Sequence, residues 1–409
     1  MRRLDPKAHP FMTAPETRAV MAALGEARFV GGAVRNALLG QAVADIDIAT
    51  PLTPDEVIAR LKAAGLGFAP TGIEHGTVTA IAQGKTLEVT TLRRDVETDG
   101  RRATVSFTTD WAQDAARRDF TMNALYADMA GEIFDSVGGI ADLAAGHVRF
   151  VGDPTTRIRE DYLRILRLFR FHAWYGKGEI DSAALTAAAA EKAGLAQLSG
   201  ERIAKESLRL LEAENPVPAL RLMASTGILA ELLPGTLSIA RLEKLARNDA
   251  NNFFTPDPVQ RLAALLPDVA AANATADRFK LSNAQRTRLE DILGGSEKIV
   301  SYLSIKEVRK LLYRLGPQTF TDRVTLRWAE DPKDNNAIQW RALIAVAAAW
   351  TRPEFPLTGR DVMMAGVPEG PLVGRILTEV EDWWVDADFL EDEFSLAERL
   401  KAVVQATAT

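Results

Sequence analysis

The chain has 409 residues, a formal net charge of −6 and an isoelectric point near 5.5, with 47% hydrophobic and 25% charged residues. These figures describe an ordinary globular protein of roughly two to four domains, and no apolar run approaches the roughly 20 residues of a membrane span. The total lack of cysteine excludes disulfides and zinc–thiolate sites, and with a basic start, Met1-Arg2-Arg3, that has no apolar stretch or cleavage site of a signal peptide, it points to a reducing cytoplasm.

In chain order, residues 27–31 read as a strand ending in the pair Gly31-Gly32, and residues 33–39 carry a helical pattern. A glycine turn that opens a helix offers backbone N–H groups to a phosphate. A short polar link leads to a second strand at 45–49, Asp45-Ile46-Asp47-Ile48-Ala49. Alternate side chains on a strand share a face, so Asp45 and Asp47 point one way and Ile46 and Ile48 the other. Paired carboxylates repel unless a cation lies between them, and Mg²⁺ suits the place because it joins one or two carboxylates to substrate phosphates. Together the turn and the aspartates suggest nucleotidyl transfer.

Residues 54–64 read as a helix, and 76–83 and 87–92 as strands, the last setting Glu88 opposite Leu87 and Val89. Glu88 is the candidate third carboxylate of a two-metal site, as a ligand near the attacking hydroxyl or as acceptor of its proton. Residues 94–102 are polar, charged and glycine-containing, and read as a mobile loop fit to act as a lid. A helix at 111–117 leads into Arg117-Arg118-Asp119-Phe120-Thr121-Met122-Asn123, then a strand at 124–129. Arg118 suits triphosphate oxygens, and Asp119 and Asn123 suit ribose hydroxyls.

Beyond residue 150 nearly every segment is helical, with patterns at 160–174, 182–194, 199–214, 217–232, 259–266, 305–315, 337–350 and 371–385, broken at Pro216, Pro234-Gly235 and Pro353. Tryptophans 328, 340, 350, 383 and 384 fall at helical spacings and read as packing residues. Arginines crowd two stretches, 93–118 and 157–170, which fits a locally positive cleft despite the net negative charge. Only four histidines occur, and none precedes an aspartate, so no His-Asp metal-hydrolase motif is present.

On a continuous helix Glu160, Asp161 and Arg164 would meet on neighbouring faces. An aspartate accepting from an exocyclic amino group and an arginine donating to the adjacent ring nitrogen favour cytosine and adenine. They reject uracil and guanine, which present the reverse order.

The motifs Gly-Gly-x-Val-Arg at 31–35, Asp45-x-Asp47, Arg117-Arg118-Asp119-Phe120-Thr121-x-Asn123-Ala124, Asp135-x-x-Gly138-Gly139-x-x-Asp142, Glu160-Asp161-x-x-Arg164 and Glu201-Arg202-Ile203 occur in the order found in one family. Over residues 28–210 the chain resembles class II CCA-adding tRNA nucleotidyltransferases and the related bacterial poly(A) polymerases, of the DNA polymerase β-like superfamily. The resemblance implies an α+β protein: a mixed-sheet nucleotidyltransferase head at 1–145, then an all-α neck at 146–215, body at 216–325 and tail at 326–409 that cradles tRNA. It makes Asp45 and Asp47 metal ligands, with Glu88 beside them. Gly31, Gly32, Arg35, Arg118, Asp119, Asn123, Glu160, Asp161, Arg164 and Arg167 become nucleotide contacts, Glu160 fixing the arginine of the base-reading pair. Residues 135–142 become a flexible element between head and neck. The implied reaction adds C, C and A to the 3′ end of tRNA from CTP and ATP with Mg²⁺. Poly(A) addition, CC-only or A-only addition, and an inactive RNA-binding module are the alternatives. The acidic isoelectric point leans against the first, the charged segment after Leu92 against CC-only members, and the three retained carboxylates against the last. Asn36 departs from the family's aspartate, and is expected to alter local charge while leaving the chemistry in place.

Overall fold

Short strands of alternating burial build one seven-stranded mixed sheet. The computed structural model describes residues 3–99 and 102–408. Its strands are β1 (Arg28–Val30), β2 (Asp47–Thr50), β3 (Gly67–Ala69), β4 (Thr77–Ala82), β5 (Lys85–Thr91), β6 (Arg93–Asp99), β7 (Arg102–Phe107), β8 (Leu125–Ala127) and β9 (Ile133–Asp135). The sheet runs in the order β3-β4-β5-β2-β1-β8-β9, with β6-β7 as a separate ribbon. Its neighbours are antiparallel except β2 and β5, which run parallel with Asp47 beside Glu88. That register positions the site, because a parallel pair aligns residues far apart in sequence and fixes which of them share a face. On β5 the buried Leu87 and Val89 flank Glu88 and hold it outward.

The helices accompanying the sheet are α1 (Pro10–Thr13), α2 (Pro15–Leu24), α3 (Gly32–Leu38), α4 (Pro54–Ala63), α5 (Trp111–Ala116) and α6 (Gly139–Ala145). Start signals explain them: Thr53 and Glu56 form a capping box before Pro54, and Asp110 caps α5. Under the site, Val30, Ala49, Leu92, Ala115, Ala124 and Tyr126 pack into one apolar cluster. Five further helices complete this first unit: α7 (Pro154–Glu160), α8 (Leu163–Tyr175), α9 (Ser182–Ala190), α10 (Gly200–Leu211) and α11 (Val217–Ser225). The unit comprises residues 1–234 with 277–281.

The second unit, residues 235–276 with 282–409, is helical throughout its regular structure. It contains α12 (Ile239–Asn252), α13 (Pro258–Leu265), most of α14 (Val269–Phe279), α15 (Asn283–Leu293), α16 (Ile305–Glu330), α17 (Ala337–Ala348), α18 (Gly359–Met364), α19 (Pro371–Asp386) and α20 (Glu393–Ala408). Trp328 and Trp340 are buried with Leu312, Phe320 and Val324, and Trp384 with Val380 and Leu396, as packing residues should be. Among the described residues no helix is long and apolar enough to cross a membrane.

Three local expectations change and a fourth holds. Asp45 lies in a bend ahead of β2, so it does not share a strand face with Asp47. The segment read as a mobile loop at 94–102 pairs as the hairpin β6–β7, with Gly100 and Arg101 outside the described residues. The helix expected over 160–174 divides, since Asp161 takes an extended backbone, φ −156° and ψ 105°, between α7 and α8. The helix expected over 305–315 ends as expected, at a non-helical Gly316, φ 77° and ψ 160°, and a second helical stretch runs from Pro317 to Glu330 within α16.

Candidate active site

Gly31 stands where β1 turns into α3, at φ 65°, a conformation that side chains rarely adopt. The space itself would admit a Cβ, at ordinary contact 3.6 Å from Nη1 of Arg118, so the backbone conformation is what calls for glycine. Arg118 is pinned from its other edge: Nε and Nη2 donate to Asp114 at 3.2 and 3.0 Å, and Nε also donates to the Tyr126 hydroxyl at 3.1 Å. Asp114 accepts from Tyr126 at 2.6 Å and from Arg117 at 2.9 Å. Burial raises the Asp114 pKa, but the adjacent arginines and the tyrosine hydrogen bond outweigh it and hold the carboxyl below its ordinary value. Arg118 is therefore oriented with one guanidinium edge left toward the glycine turn.

Asp119 forms a second anchor. It accepts from the Phe120 N–H at 2.8 Å, from Asn123 at 2.9 Å and from Arg167 Nε at 2.8 Å. Burial pushes its pKa up, but the Arg167 charge and the donors from Asn123 and Phe120 prevail and bring it down to about 2. Asn123 in turn accepts from Arg35 at 2.6 Å, and Arg35 lies 4.3 Å above the Tyr175 ring. Arg35 also donates to Asn36 at 3.1 and 2.9 Å, while the Asn36 amide donates to the Ala42 carbonyl at 3.3 Å. An aspartate at position 36 could accept from Arg35 but could not make the last of these bonds.

Gly31, Arg35, Asn36, Arg118, Asp119, Asn123, Arg167 and Tyr175 line one cavity of about 500 Å³ together with Gly32, Asp45, Asp47, Arg170 and Arg209. Of the residues expected to hold nucleotide, Gly31, Gly32, Arg35, Arg118, Asp119, Asn123 and Arg167 come together here, and the metal candidates Asp45 and Asp47 form one edge. Glu88 is reached through its register with Asp47 and lines a neighbouring cavity of about 800 Å³ that shares both aspartates.

Burial first, then the charges of Glu88 and Asp45, raise the Asp47 pKa, against the lowering effect of Arg118. Negative charge thus accumulates where a divalent cation would relieve it. Among the described residues no three acidic or histidine side chains converge closely enough to enclose an ion by themselves. The donor set fits a divalent cation whose shell is completed by substrate phosphates, with Asp45 and Asp47 as protein ligands.

Glu160, Asp161 and Arg164 lie outside the arginine-lined cavity. Glu160 accepts from both Arg157 and Arg164, which holds the Arg164 side chain in place. Asp161, set apart by the break between α7 and α8, pairs with Arg202 at 2.7 Å. Arg157 is buried and also donates to the Arg118 carbonyl at 2.8 Å, tying α7 to the segment carrying Arg118 and Asp119. Sequence reasoning placed Arg157 only within a basic stretch and missed Asp114 and Tyr126. The spacing of Asp114 to Arg117 and Arg118, three and four residues, was the available signal. The expected flexible element is closely hydrogen-bonded: Asp135 accepts from the N–H groups of Val137, Gly138, Gly139 and Ile140, and Asp142 from Thr121 and Arg149. Gly139 serves close approach, since a Cβ there would lie 2.2 Å from the Thr121 carbonyl oxygen.

Residues 27–149 match the family described as Poly A polymerase head domain, and residues 179–239 match the Probable RNA and SrmB- binding site of polymerase A. The mitochondrial CCA tRNA nucleotidyltransferase 1 of Mus musculus is 33% identical over 383 residues, covering 92% of this chain and 86% of the mouse protein. The CCA-adding enzyme of Levilactobacillus brevis is 31% identical over 387 residues, covering 90% and 92% of the two chains. Among solved structures, the Bacillus stearothermophilus CCA-adding enzyme in complex with CTP is similar with a TM-score of 0.76 at 28% identity, covering 98% of each chain. With relatives this similar along nearly its whole length, the chain belongs to the family of CCA-adding tRNA nucleotidyltransferases and poly(A) polymerases.

Proposed function

We propose that this protein completes the 3′ end of tRNA with C, C and A, using CTP and ATP and releasing pyrophosphate. The observation that carries the reading is the parallel register that sets Asp47 beside Glu88 at the edge of an arginine-lined cavity. The cavity suits a triphosphate: Arg118, Arg167 and Arg170 supply positive charge, and ionised Asp119 orients Arg167 and Asn123. The primer's 3′ oxygen forms a bond to the α-phosphorus while the bond from that phosphorus to the β-bridging oxygen breaks. Pyrophosphate leaves on the arginine side, and Glu88 is the nearby group to receive the hydroxyl proton. Mg²⁺, held by Asp45 and Asp47, would supply neutralisation of the charge developing on the phosphate oxygens.

Base choice belongs to Asp161 and Arg164. Arg164 is held by Glu160, which leaves its other guanidinium edge to donate to a ring nitrogen, and Asp161 offers an acceptor for an amino group. Both contacts suit cytosine and adenine alone. Within the layout, residues 1–145 act as head, 146–215 as neck, 216–325 as body and 326–409 as the tRNA-binding tail. The cysteine-free composition favours the cytoplasm as the compartment. CCA completion is preferred to poly(A) addition because the relatives that match along nearly the whole chain are named for CCA addition. The charged hairpin β6–β7 favours full completion over CC-only addition.

Purified protein is given tRNA transcripts lacking CCA, C-ended and CC-ended transcripts and a generic RNA, with each nucleotide alone and mixed. Completion that stops after CCA is the expected result. Long A tails on generic RNA would support poly(A) addition instead, and no metal-dependent incorporation would favour an inactive RNA-binding module.

A further inference from the structure

Five arginines, at 35, 118, 167, 170 and 209, line the cavity beside Gly31 and Gly32, and they differ in how their charge is met. Four are matched by carboxylates: Arg118 by Asp114 at 3.0 Å, Arg170 by Glu206 at 3.1 Å, Arg209 by Glu212 at 2.9 Å, and Arg167 by Asp119, which accepts from its Nε at 2.8 Å. Arg35 is the exception. It is only 8% exposed, and its partners are the neutral side chains of Asn36 and Asn123 and the Tyr175 ring 4.3 Å away. Among the described residues no carboxylate forms an ion pair with it. Burial is the largest influence on its pKa and lowers it, with Arg167 adding to the effect and Tyr175 and Asp119 opposing it. A guanidinium stays charged all the same. A buried charge without a counter-ion carries a desolvation cost that an arriving anion relieves.

Resting on the nucleotidyl-transfer reading above, we propose that Asn36 is a positioning residue that sets the cavity's affinity for condensed phosphates: by clasping Arg35 with a neutral amide, it keeps that charge uncompensated until a triphosphate or pyrophosphate arrives. The clasp is firm, since Asn36 accepts from both Nε and Nη2 of Arg35 while its own amide donates to the Ala42 carbonyl at 3.3 Å. Nη2 also lies beside the glycine turn, 3.7 Å from where a Cβ on Gly32 would be, which places the charge where phosphates are gripped. A carboxylate at position 36 could take the same two bonds but would cancel the charge beforehand, so an incoming anion would gain less. The departure from the family's aspartate therefore has a direction, toward tighter nucleotide and tighter retention of the leaving pyrophosphate. It is blind to the base, because Asp161 and Arg164 lie outside this cavity.

Full-length wild type, Asn36→Asp and Asn36→Ala are titrated calorimetrically with inorganic pyrophosphate at fixed Mg²⁺, and KM is measured for CTP and for ATP. Asn36→Asp should weaken pyrophosphate binding about threefold to tenfold and raise both KM values by that same factor. Asn36→Ala loses the same bond to Ala42 without adding a charge, so its pyrophosphate affinity should stay within about twofold of wild type. Arg35→Met removes the charge outright and should weaken pyrophosphate at least as much as Asn36→Asp. Equal weakening by the alanine and aspartate variants would trace the effect to the lost hydrogen bond and overturn the proposal. Unchanged pyrophosphate affinity in Asn36→Asp or Arg35→Met, or a wild type that binds no pyrophosphate, would overturn it too. So would a rise in KM for one nucleotide alone, which would place Asn36 in base choice. The titration needs neither RNA nor turnover, so failure of the wild type to incorporate nucleotide would strike the proposed function and leave this result standing.

Discussion

Asp45 and Asp47 sit at the junction of two cavities, and replacing either by alanine should remove nucleotide incorporation by a factor of about a thousand or more. Incorporation of radiolabelled CTP into tRNA lacking CCA reads this directly. Asp161→Ala should act differently, lowering discrimination against UTP and GTP about tenfold or more, since a mismatched buried polar edge costs about 1–3 kcal/mol. Competition between CTP and UTP measures it, and undiminished discrimination would sink the base-reading role. Asn36 gives the subtlest case. Asn36→Asp keeps the acceptor for Arg35 but loses the donor to Ala42, three residues before Asp45, so we expect a rate loss of about threefold to tenfold with folding unchanged. Steady-state kinetics alongside a thermal melt separates the two. The motif pattern announced the nature of these groups, but spacing alone could not show that Arg35 is already engaged by Asn36 and Asn123. Hydrogen bonds between residues distant in sequence are set by tertiary packing and leave no local trace.

At the level of elements, periodicity was a good guide wherever one face is buried. β4 and β5 alternate as expected, and capped helices begin where their signals lie. It failed where another cue competed. Residues 94–102 lack an apolar face and read as a loop, yet the described residues among them pair across β6 and β7. The break at Asp161 contains neither glycine nor proline, so helical propensity runs through it unchecked. At that break Asp161 is paired with Arg202, a residue 41 positions downstream that no local pattern could reveal. The start of α7 at Pro154, behind the Asp153 cap, went unread. Tight approach between elements gives another expectation: Gly139→Ala drives a methyl group into the Thr121 carbonyl, which should destabilise the fold by about 1–3 kcal/mol. Chemical denaturation of both proteins checks the value.

For the molecule as a whole, the α+β plan was legible because strand-like and helix-like periods segregate along the chain, whereas the pairing order of the sheet was not, since strand order depends on contacts that cross the sequence. Acid stability should report one of those contacts. The Asp119 pKa is depressed from 3.8 to about 2 on folding, so its contribution is complete above pH 4 and is lost as pH falls toward 2. The shift corresponds to about 2 kcal/mol. Asp119→Asn should therefore be less stable than wild type near neutral pH and lose less stability on acidification over that window, as followed by circular dichroism. Equal slopes for the two proteins would contradict the assignment.

The lone parallel pairing in the main sheet has a kinetic meaning. β2 and β5 are separated by the whole of α4, β3 and β4, so the chain must close a long loop before Asp47 finds Glu88. Local helices need no such closure and form early, whereas non-local strand pairing is slow. A shift of one residue in that register would set Asp47 beside a buried apolar neighbour and leave a well-structured but inert molecule. On refolding from denaturant, helical signal should return before catalytic competence does, and the lag between them times the closing of a single pair of strands.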